Sequence, residues 1–175
     1  AITSLSANGF VVTWDRYESA GGYSTSKDVF AQIYNADGST RSEEFQVNAN
    51  HLLNYDHQSY PSIALLPDDD FVNTWQTDGQ GYDYEIYARM YNSYGTAKGG
   101  EFQVNTYTDY SQIQPAVSSL ADGGFVITWH NKDHAFMCLG YQSKVSAQMY
   151  HTDGTTRGEE FQINTHTTDC VLHAQ

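Results

Sequence analysis

One short phrase, written three times with variation, constrains the fold of this chain more than any other feature. It reads Gly-Phe-Val-Val-Thr-Trp in its first copy, and its copies end in Trp14, Trp75 and Trp129. A second phrase, Glu-Phe-Gln-Val-Asn, follows each copy and occupies residues 44–48, 101–105 and, with Ile for Val, 160–164. The tryptophans are 61 and 54 residues apart. Internal repeats of this order predict a solenoid, a propeller or another array.

Each repeat divides into four segments that are typical of strands. A run that begins at Pro61 or Pro115, or at Ala1 in the first repeat, comes first. The tryptophan phrase comes second, after a turn rich in Asn, Asp and Gly. The third segment alternates apolar and polar residues, which indicates a half-buried strand, and it spans 29–34, 86–91 and 145–150. A hairpin signal with glycine then leads to the Phe-Gln-Val-Asn phrase. No segment has helical periodicity.

Four antiparallel strands per repeat predict an all-β fold built from β-propeller blades. We assign one domain with repeat one at 1–60, repeat two at 61–114 and repeat three at 115–175. Propellers close with about four to eight blades, so three blades predict a homodimer that completes a six-bladed ring, unless the chain is a piece of a longer one. A β-sandwich and an open solenoid are the alternative architectures.

Charge and hydropathy exclude several partners. The chain of 175 residues has 21 acidic and 8 basic side chains and a net charge of −13, which disfavours nucleic acid and anionic lipid as partners. No apolar run is long enough to span a membrane as a helix. An acidic surface is compatible with divalent cations, calcium above all. The two cysteines, Cys138 and Cys170, would fit a disulfide and an extracellular setting, although their spacing leaves the pairing open.

The repeat resembles one that is common in large bacterial secreted adhesins and calcium-binding repeats-in-toxin proteins. The resemblance is carried by residues 124–129, 78–81, 86–91, 153–154 and 158–165. It implies an extracellular, secreted protein and specifies the repeat rather than an activity. The nonapeptide calcium motif of that secreted class, Gly-Gly-x-Gly-x-Asp, is absent from this sequence, so its calcium site is not carried over.

The loops that follow the tryptophans differ most between repeats, and variable loops on a repeated scaffold commonly bind ligands. Those of the first two repeats are polar and aromatic, a composition that suits contacts with sugars. The predicted ligand-binding residues are Asp15, Tyr17, Tyr23, Tyr82 and Tyr84. We expect the tryptophans themselves to fill the space between blades, and the repeated Gln and Asn of the second phrase to satisfy backbone groups between blades.

Two groups of side chains are candidate metal ligands. Asp78, Asp83 and Glu85 flank a glycine-rich turn and would offer carboxylates to calcium, although solvated turn residues look the same. In repeat three, His130, His134 and Cys138 are four residues apart, which would suit zinc or copper only in a folded-back loop. Ordinary polar loop residues are the competing interpretation of both groups.

No catalytic motif is present in the sequence, and the repeated glutamates look structural because a catalyst is needed once. The sequence therefore predicts a non-catalytic, lectin-like module that binds a glycan or another small ligand at several shallow sites, with avidity from their number. A structural or adhesive matrix protein and a carrier of a metal or small molecule are the alternatives. An enzyme ranks last.

Overall fold

The structure, a computed structural model, describes residues 1–6, 8–20, 24–49, 57–78, 83–132 and 143–165. These residues form twelve strands and one turn of 3-10 helix at Pro67–Asp69. The strands are β1 (Ile2–Leu5), β2 (Gly9–Ala20), β3 (Ser24–Asn35), β4 (Phe45–Gln46), β5 (Gln58–Leu65), β6 (Phe71–Asp78), β7 (Tyr84–Tyr91), β8 (Phe102–Gln103), β9 (Ser111–Ser119), β10 (Phe125–Lys132), β11 (Ser143–Tyr150) and β12 (Thr156–Gln162). Within this part of the chain no helix is long and apolar enough to cross a membrane.

The strands form three four-stranded antiparallel sheets, one from each repeat. Sheet one has the order β1-β2-β3-β4, sheet two β5-β6-β7-β8 and sheet three β9-β10-β11-β12. The predicted all-β fold with four strands per repeat is therefore confirmed. The first strands lie next to each other, with β5 in contact with both β1 and β9. The three sheets do not close into a ring.

Local sequence accounts for most strand boundaries. The hairpins after β3, β7 and β11 turn at Gly38, Gly95 and Gly154, whose φ angles of 83°, 82° and 84° lie in the left-handed region that glycine tolerates best. The boundary of the first strand differs from the prediction in repeats two and three. The prolines do not start the strands but lie inside them, because β5 and β9 begin at Gln58 and Ser111.

Adjacent sheets stack face to face and enclose two separate apolar cores. The first core lies between sheets one and two and includes Val11, Ile33, Phe71 and Trp75. The second lies between sheets two and three and includes Val72, Met90, Phe125 and Trp129. Sheet two is thus covered on both faces, whereas sheets one and three are each covered by a sheet on one face.

Buried polar side chains repeat along the stack. The indole nitrogens of Trp75 and Trp129 donate to the side-chain oxygens of Gln58 and Gln112, at 2.8 and 3.0 Å. Each pair joins the first and second strand of one sheet, so both members are satisfied without water. Trp75 and Trp129 therefore fill the cores, as predicted, whereas Trp14 is only partly buried.

The repeated asparagines also act within a sheet. The Oδ1 atoms of Asn48, Asn105 and Asn164 accept the backbone amides of Val29, Ile86 and Val145 at 2.8–2.9 Å. The prediction that these asparagines bond between blades is wrong, because each one extends its own sheet by one rung beyond the end of the fourth strand. Two of the repeated glutamates bridge neighbouring sheets instead, since Glu101 Oε2 accepts the Ala49 amide and Glu160 Oε2 the Thr106 amide, both at 2.8 Å.

Candidate functional site

The antiparallel order places the variable loops of all repeats at one end of the stack. At this end β2, β6 and β10 finish, β3, β7 and β11 begin, and β5 and β9 enter their sheets. We call it the tyrosine face, because four tyrosines with large exposed fractions lie here. They are Tyr17, Tyr60, Tyr107 and Tyr110.

Two bulges shape the tyrosine face. The ladder between β5 and β6 shifts register between Ser59 and Ser62, and the ladder between β9 and β10 shifts at the equivalent place. Tyr60 and Gln114, the residues before the two prolines, both have φ of 54°. A left-handed conformation is costly for a non-glycine residue, and bulges re-aim side chains at functional sites. Tyr110 on the same face also has a left-handed φ, of 65°.

Tyr17 and its neighbours form a charged aromatic group between sheets one and two. Tyr17 is 62 % exposed and Tyr60 is 57 % exposed. Lys27 pairs with the Asp15 carboxylate, and its Nζ lies 5.5 Å from the centre of the Tyr17 ring. The ring of His57 meets Tyr17 edge-on at 5.9 Å. The ion pair and the His57 contact hold one side of the Tyr17 ring, so its remaining surface faces solvent.

Tyr84 joins this group to sheet two. Burial raises the pKa of the Tyr84 hydroxyl, and the Asp78 carboxylate and the neighbouring Tyr60 and Tyr17 raise it further, while Lys27 opposes them. The Tyr84 hydroxyl is therefore a neutral donor and acceptor at physiological pH. The structure thus brings together three of the five predicted ligand-binding residues, namely Asp15, Tyr17 and Tyr84.

A cavity of about 290 Å³ opens beside Tyr60 and Tyr84, between sheets two and three. It is lined by Tyr60, Gln76, Tyr84, Ser111, Ile113, Gln114 and Lys132. The left-handed turn at Gln114 directs its backbone amide to Gln76 Oε1 at 2.8 Å, which fixes one wall. Aromatic rings, amides, a hydroxyl and an ammonium group thus surround a volume at the small end of the range for ligand pockets.

A second cavity of about 500 Å³ lies at the opposite end of the stack, where the short turns of the three sheets meet. Its lining includes Ser6, Leu66, Pro67 and Leu120. The Asp69 carboxylate beside this end accepts the Ser6 amide at 2.6 Å. The lining combines aliphatic residues with serines and Asp122 and includes no aromatic residue, so the tyrosine face is the better candidate for recognition.

The predicted calcium carboxylates have separate protein partners. Asp78 accepts the His57 amide, and Asp83 accepts the Ser111 hydroxyl at 3.2 Å. Glu85 accepts both Asn105 and Gln103, and burial raises the pKa of Glu85 while these two donors lower it. Among the residues that the structure describes, no three His, Cys, Asp or Glu side chains form a metal-binding group. Calcium binding stays a prediction.

The third-repeat metal candidates are only partly placed. His130 is partly buried in β10, between Ile113 and Val145. His134, Cys138, Cys170, Tyr23 and Tyr82 lie outside the described residues. A transition-metal site at His130 and His134 also stays a prediction.

Sequence reasoning missed Tyr60 and Gln114. Both precede a proline at the same place in the repeat, and a residue before proline is restricted to extended conformations in most chains. That shared position was the available signal. The bulge that turns both side chains toward the cavity is visible only in the paired strands.

Comparisons with known proteins identify the fold. No family model and no curated protein sequence matches this chain. A solved structure of a protein of unknown function from Dyadobacter fermentans DSM 18053 is similar, with a TM-score of 0.65 and 11 % identity over 94 % of this chain. A thermostable family-43 glycoside hydrolase is similar with a TM-score of 0.58 and 11 % identity over 97 % of this chain. The chain spans 41 % and 60 % of the lengths of these two proteins.

The glycoside hydrolase corrects one prediction. Family-43 glycoside hydrolases are propeller-fold enzymes. The prediction that this chain is non-catalytic is therefore wrong. That prediction took the repeated architecture and the missing motifs as grounds against catalysis. A fold shared with an enzyme removes those grounds.

Proposed function

We propose that this protein binds carbohydrate at the tyrosine face and that its three sheets are blades of a propeller. The grouping of Tyr17, Tyr60 and Tyr84 beside the cavity carries this proposal. Two of these rings are mostly exposed and come from different sheets. A tyrosine ring offers a flat apolar surface and a hydroxyl at its edge, which matches the alternating CH faces and hydroxyls of a sugar.

The polar groups of the cavity support the same ligand class. Gln114, Ser111 and Lys132 offer amide, hydroxyl and ammonium groups to ligand hydroxyls and ring oxygens. The small volume of the cavity favours one or two sugar units. The structural similarity to a glycoside hydrolase also supports a sugar as the ligand. On this proposal the protein meets glycans outside the cell.

A glycan array followed by titration calorimetry tests this proposal. We expect Tyr60→Ala and Tyr17→Ala to weaken binding about tenfold each, which is about 1.4 kcal/mol. Tyr94→Ala is the matched control, because Tyr94 is exposed but lies in the β7–β8 turn at the opposite end. If the wild-type protein binds no glycan, the proposal is rejected. It is also rejected if Tyr94→Ala weakens binding as much as Tyr60→Ala and Tyr17→Ala do.

Glycoside hydrolysis is the second candidate. Asp83 bonds to Ser111 of the cavity lining, and the Asp78 charge acts on Tyr84 of the same lining. Glycoside hydrolysis uses two carboxyl groups flanking the scissile bond. Release of reducing sugar from a panel of aryl glycosides, lost in both Asp78→Asn and Asp83→Asn, would support this activity. Turnover that neither variant reduces would exclude these two residues as the catalytic pair.

A further inference from the structure

Each end of the stack exposes one half of the kind of interface that joins neighbouring sheets inside it. The outer face of sheet one contains Ile2, Phe10, Val12, Trp14 and Tyr34. The outer face of sheet three contains Val126, Val145, Met149, Phe161 and Ile163. Strand alternation places each of these residues at the position that a repeat equivalent occupies in a core between sheets.

The fourth strand of sheet three shows the clearest difference. Val47 and Val104 are buried against the next sheet in the stack. Their equivalent, Ile163, is 48 % exposed, and the preceding aromatic residue, Phe161, is 43 % exposed. Sheet three thus presents apolar side chains that the other two sheets bury.

The aromatic partners show what those side chains lack. Phe45 packs on Tyr91 of the next sheet at 5.5 Å between ring centres, and Phe102 packs on Tyr150 at 5.4 Å. The corresponding ring for Phe161 would be a tyrosine of a following sheet. Tyr34 is the repeat equivalent of those tyrosines.

The outer face of sheet one carries that ring in the required setting. Tyr34 stacks on Phe10 at 5.1 Å, just as Tyr91 stacks on Phe71 at 5.4 Å. Phe10 and Tyr34 are partly buried, although Phe71 and Tyr91 are fully enclosed. Ile2 on the same face is 64 % exposed, whereas its equivalent Ile63 is 7 % exposed.

The glutamates that bridge sheets repeat this pattern. Glu101 and Glu160 each accept a backbone amide from the end of the preceding sheet. Glu44, the equivalent in sheet one, pairs at 2.8 Å with Arg16 of its own sheet and is partly exposed. Its carboxylate has the place in the repeat that would receive the amide of Thr165 from a preceding sheet.

We propose that the outer face of sheet three binds the outer face of sheet one of a second copy of this chain, and the reverse, so that two copies form a closed ring of six sheets. A second copy is the partner that fits, because the outer face of sheet three carries the residues that pack on the outer face of sheet one, and each chain has both faces. Such a head-to-tail contact closes when the rotation returns to the start, and six blades lie within the range of closed propellers. The ring rests on the proposal that the sheets are propeller blades but does not depend on the proposed ligand.

Sedimentation equilibrium over a range of micromolar concentrations tests the ring. We expect the wild-type protein to have twice the chain mass of 19.6 kDa. Ile163→Asp and Ile2→Asp each place a carboxylate in both interfaces and should give the mass of one chain. Ile163→Val, which restores the residue type of the other repeats, should remain a dimer. Tyr94→Asp, which adds the same charge at an exposed ring outside both faces, should also remain a dimer.

Mixing the two charged variants gives a second test that does not depend on the wild type alone. A dimer of Ile163→Asp with Ile2→Asp has one interface in which both faces are native, so we expect mixing to increase the dimer population. A wild-type protein that sediments as one chain would overturn the proposal. So would a dimer that both charged variants retain, since it would use another surface.

Discussion

The bond between the Asn105 side chain and the Ile86 backbone amide provides a quantitative test of what holds the outer edge of each sheet. Strand β8 has only two residues, and Val104 adds one more bond by donating its amide to Ile86 O at 2.8 Å. Asn105 Oδ1 then accepts the Ile86 amide at 2.8 Å. Ile86 and Asn105 are both buried, so water has no route to replace the oxygen.

Asn105→Ala should therefore leave a buried amide without an acceptor. That penalty is about 1–3 kcal/mol. For a chain of this size each kcal/mol lowers the Tm by about 2–4 °C, so we expect a decrease of about 2–12 °C.

The same variant should lose more stability at neutral pH than in acid. Asn105 also donates to Glu85, whose pKa is already raised by burial, and losing that donor raises the Glu85 pKa further. A raised carboxyl pKa means stability that is present below the unfolded pKa and is lost as pH rises through the folded value. The cost of Asn105→Ala should accordingly grow as pH rises from about 4 to 7.

Urea unfolding followed by tryptophan fluorescence measures these losses, because Trp75 and Trp129 are buried. Asn92→Ala is the matched control, since Asn92 Oδ1 accepts the Tyr94 and Thr96 amides at 3.0 and 2.9 Å in an exposed turn. Water can replace that acceptor, so its removal should cost about 0.5–1.5 kcal/mol. If Asn105→Ala costs no more than Asn92→Ala, burial does not set the value of this bond and the reasoning fails.

Two further predictions concern the buried aromatic residues. Trp75→Phe leaves the Gln58 oxygen buried without its indole donor and should lower the unfolding free energy by about 1–3 kcal/mol. Adding Gln58→Leu should recover part of this loss. A double variant that is less stable than Trp75→Phe alone would contradict this. Burial raises the Tyr91 pKa to about 12, against about 10 in an unfolded chain. The folded state therefore resists ionisation, and stability should fall as pH rises from about 10 to 12. Tyr91→Phe should reduce that slope in thermal unfolding, and an unchanged slope would show that Tyr91 is not the group responsible.

Much of the fold follows from residues that are neighbours in the chain. Alternation in the third segments, glycine in the hairpins at 38, 95 and 154, and the tryptophan phrase predicted the four strands of each sheet. These features depend on residues that are close in sequence, so their effect on structure can be predicted from the local sequence. The burial of Trp75 and Trp129 followed in the same way from the repetition of their phrase.

The partners of the polar residues depended on how strands pair and stack. Asn48 and Asn105 were expected to bond between sheets, but the short fourth strands leave a rung that only their own side chains reach. The sequence predicts Asp78 as a calcium ligand, whereas in the structure its carboxylate accepts the backbone amide of His57. A sequence lists donors and acceptors without showing which of them the backbone brings within 3 Å.

The three all-β repeats, their turns and the apolar residues of their faces can be predicted from the sequence, because strand periodicity and turn chemistry are local properties. The packing of the sheets brings Tyr17 and Tyr84 together with Tyr60, and it leaves Ile2, Phe161 and Ile163 exposed at the ends of the stack. The physical reason is that these outcomes depend on contacts between sheets from separate repeats. Equivalent residues in the repeats differ in burial according to whether another sheet covers them.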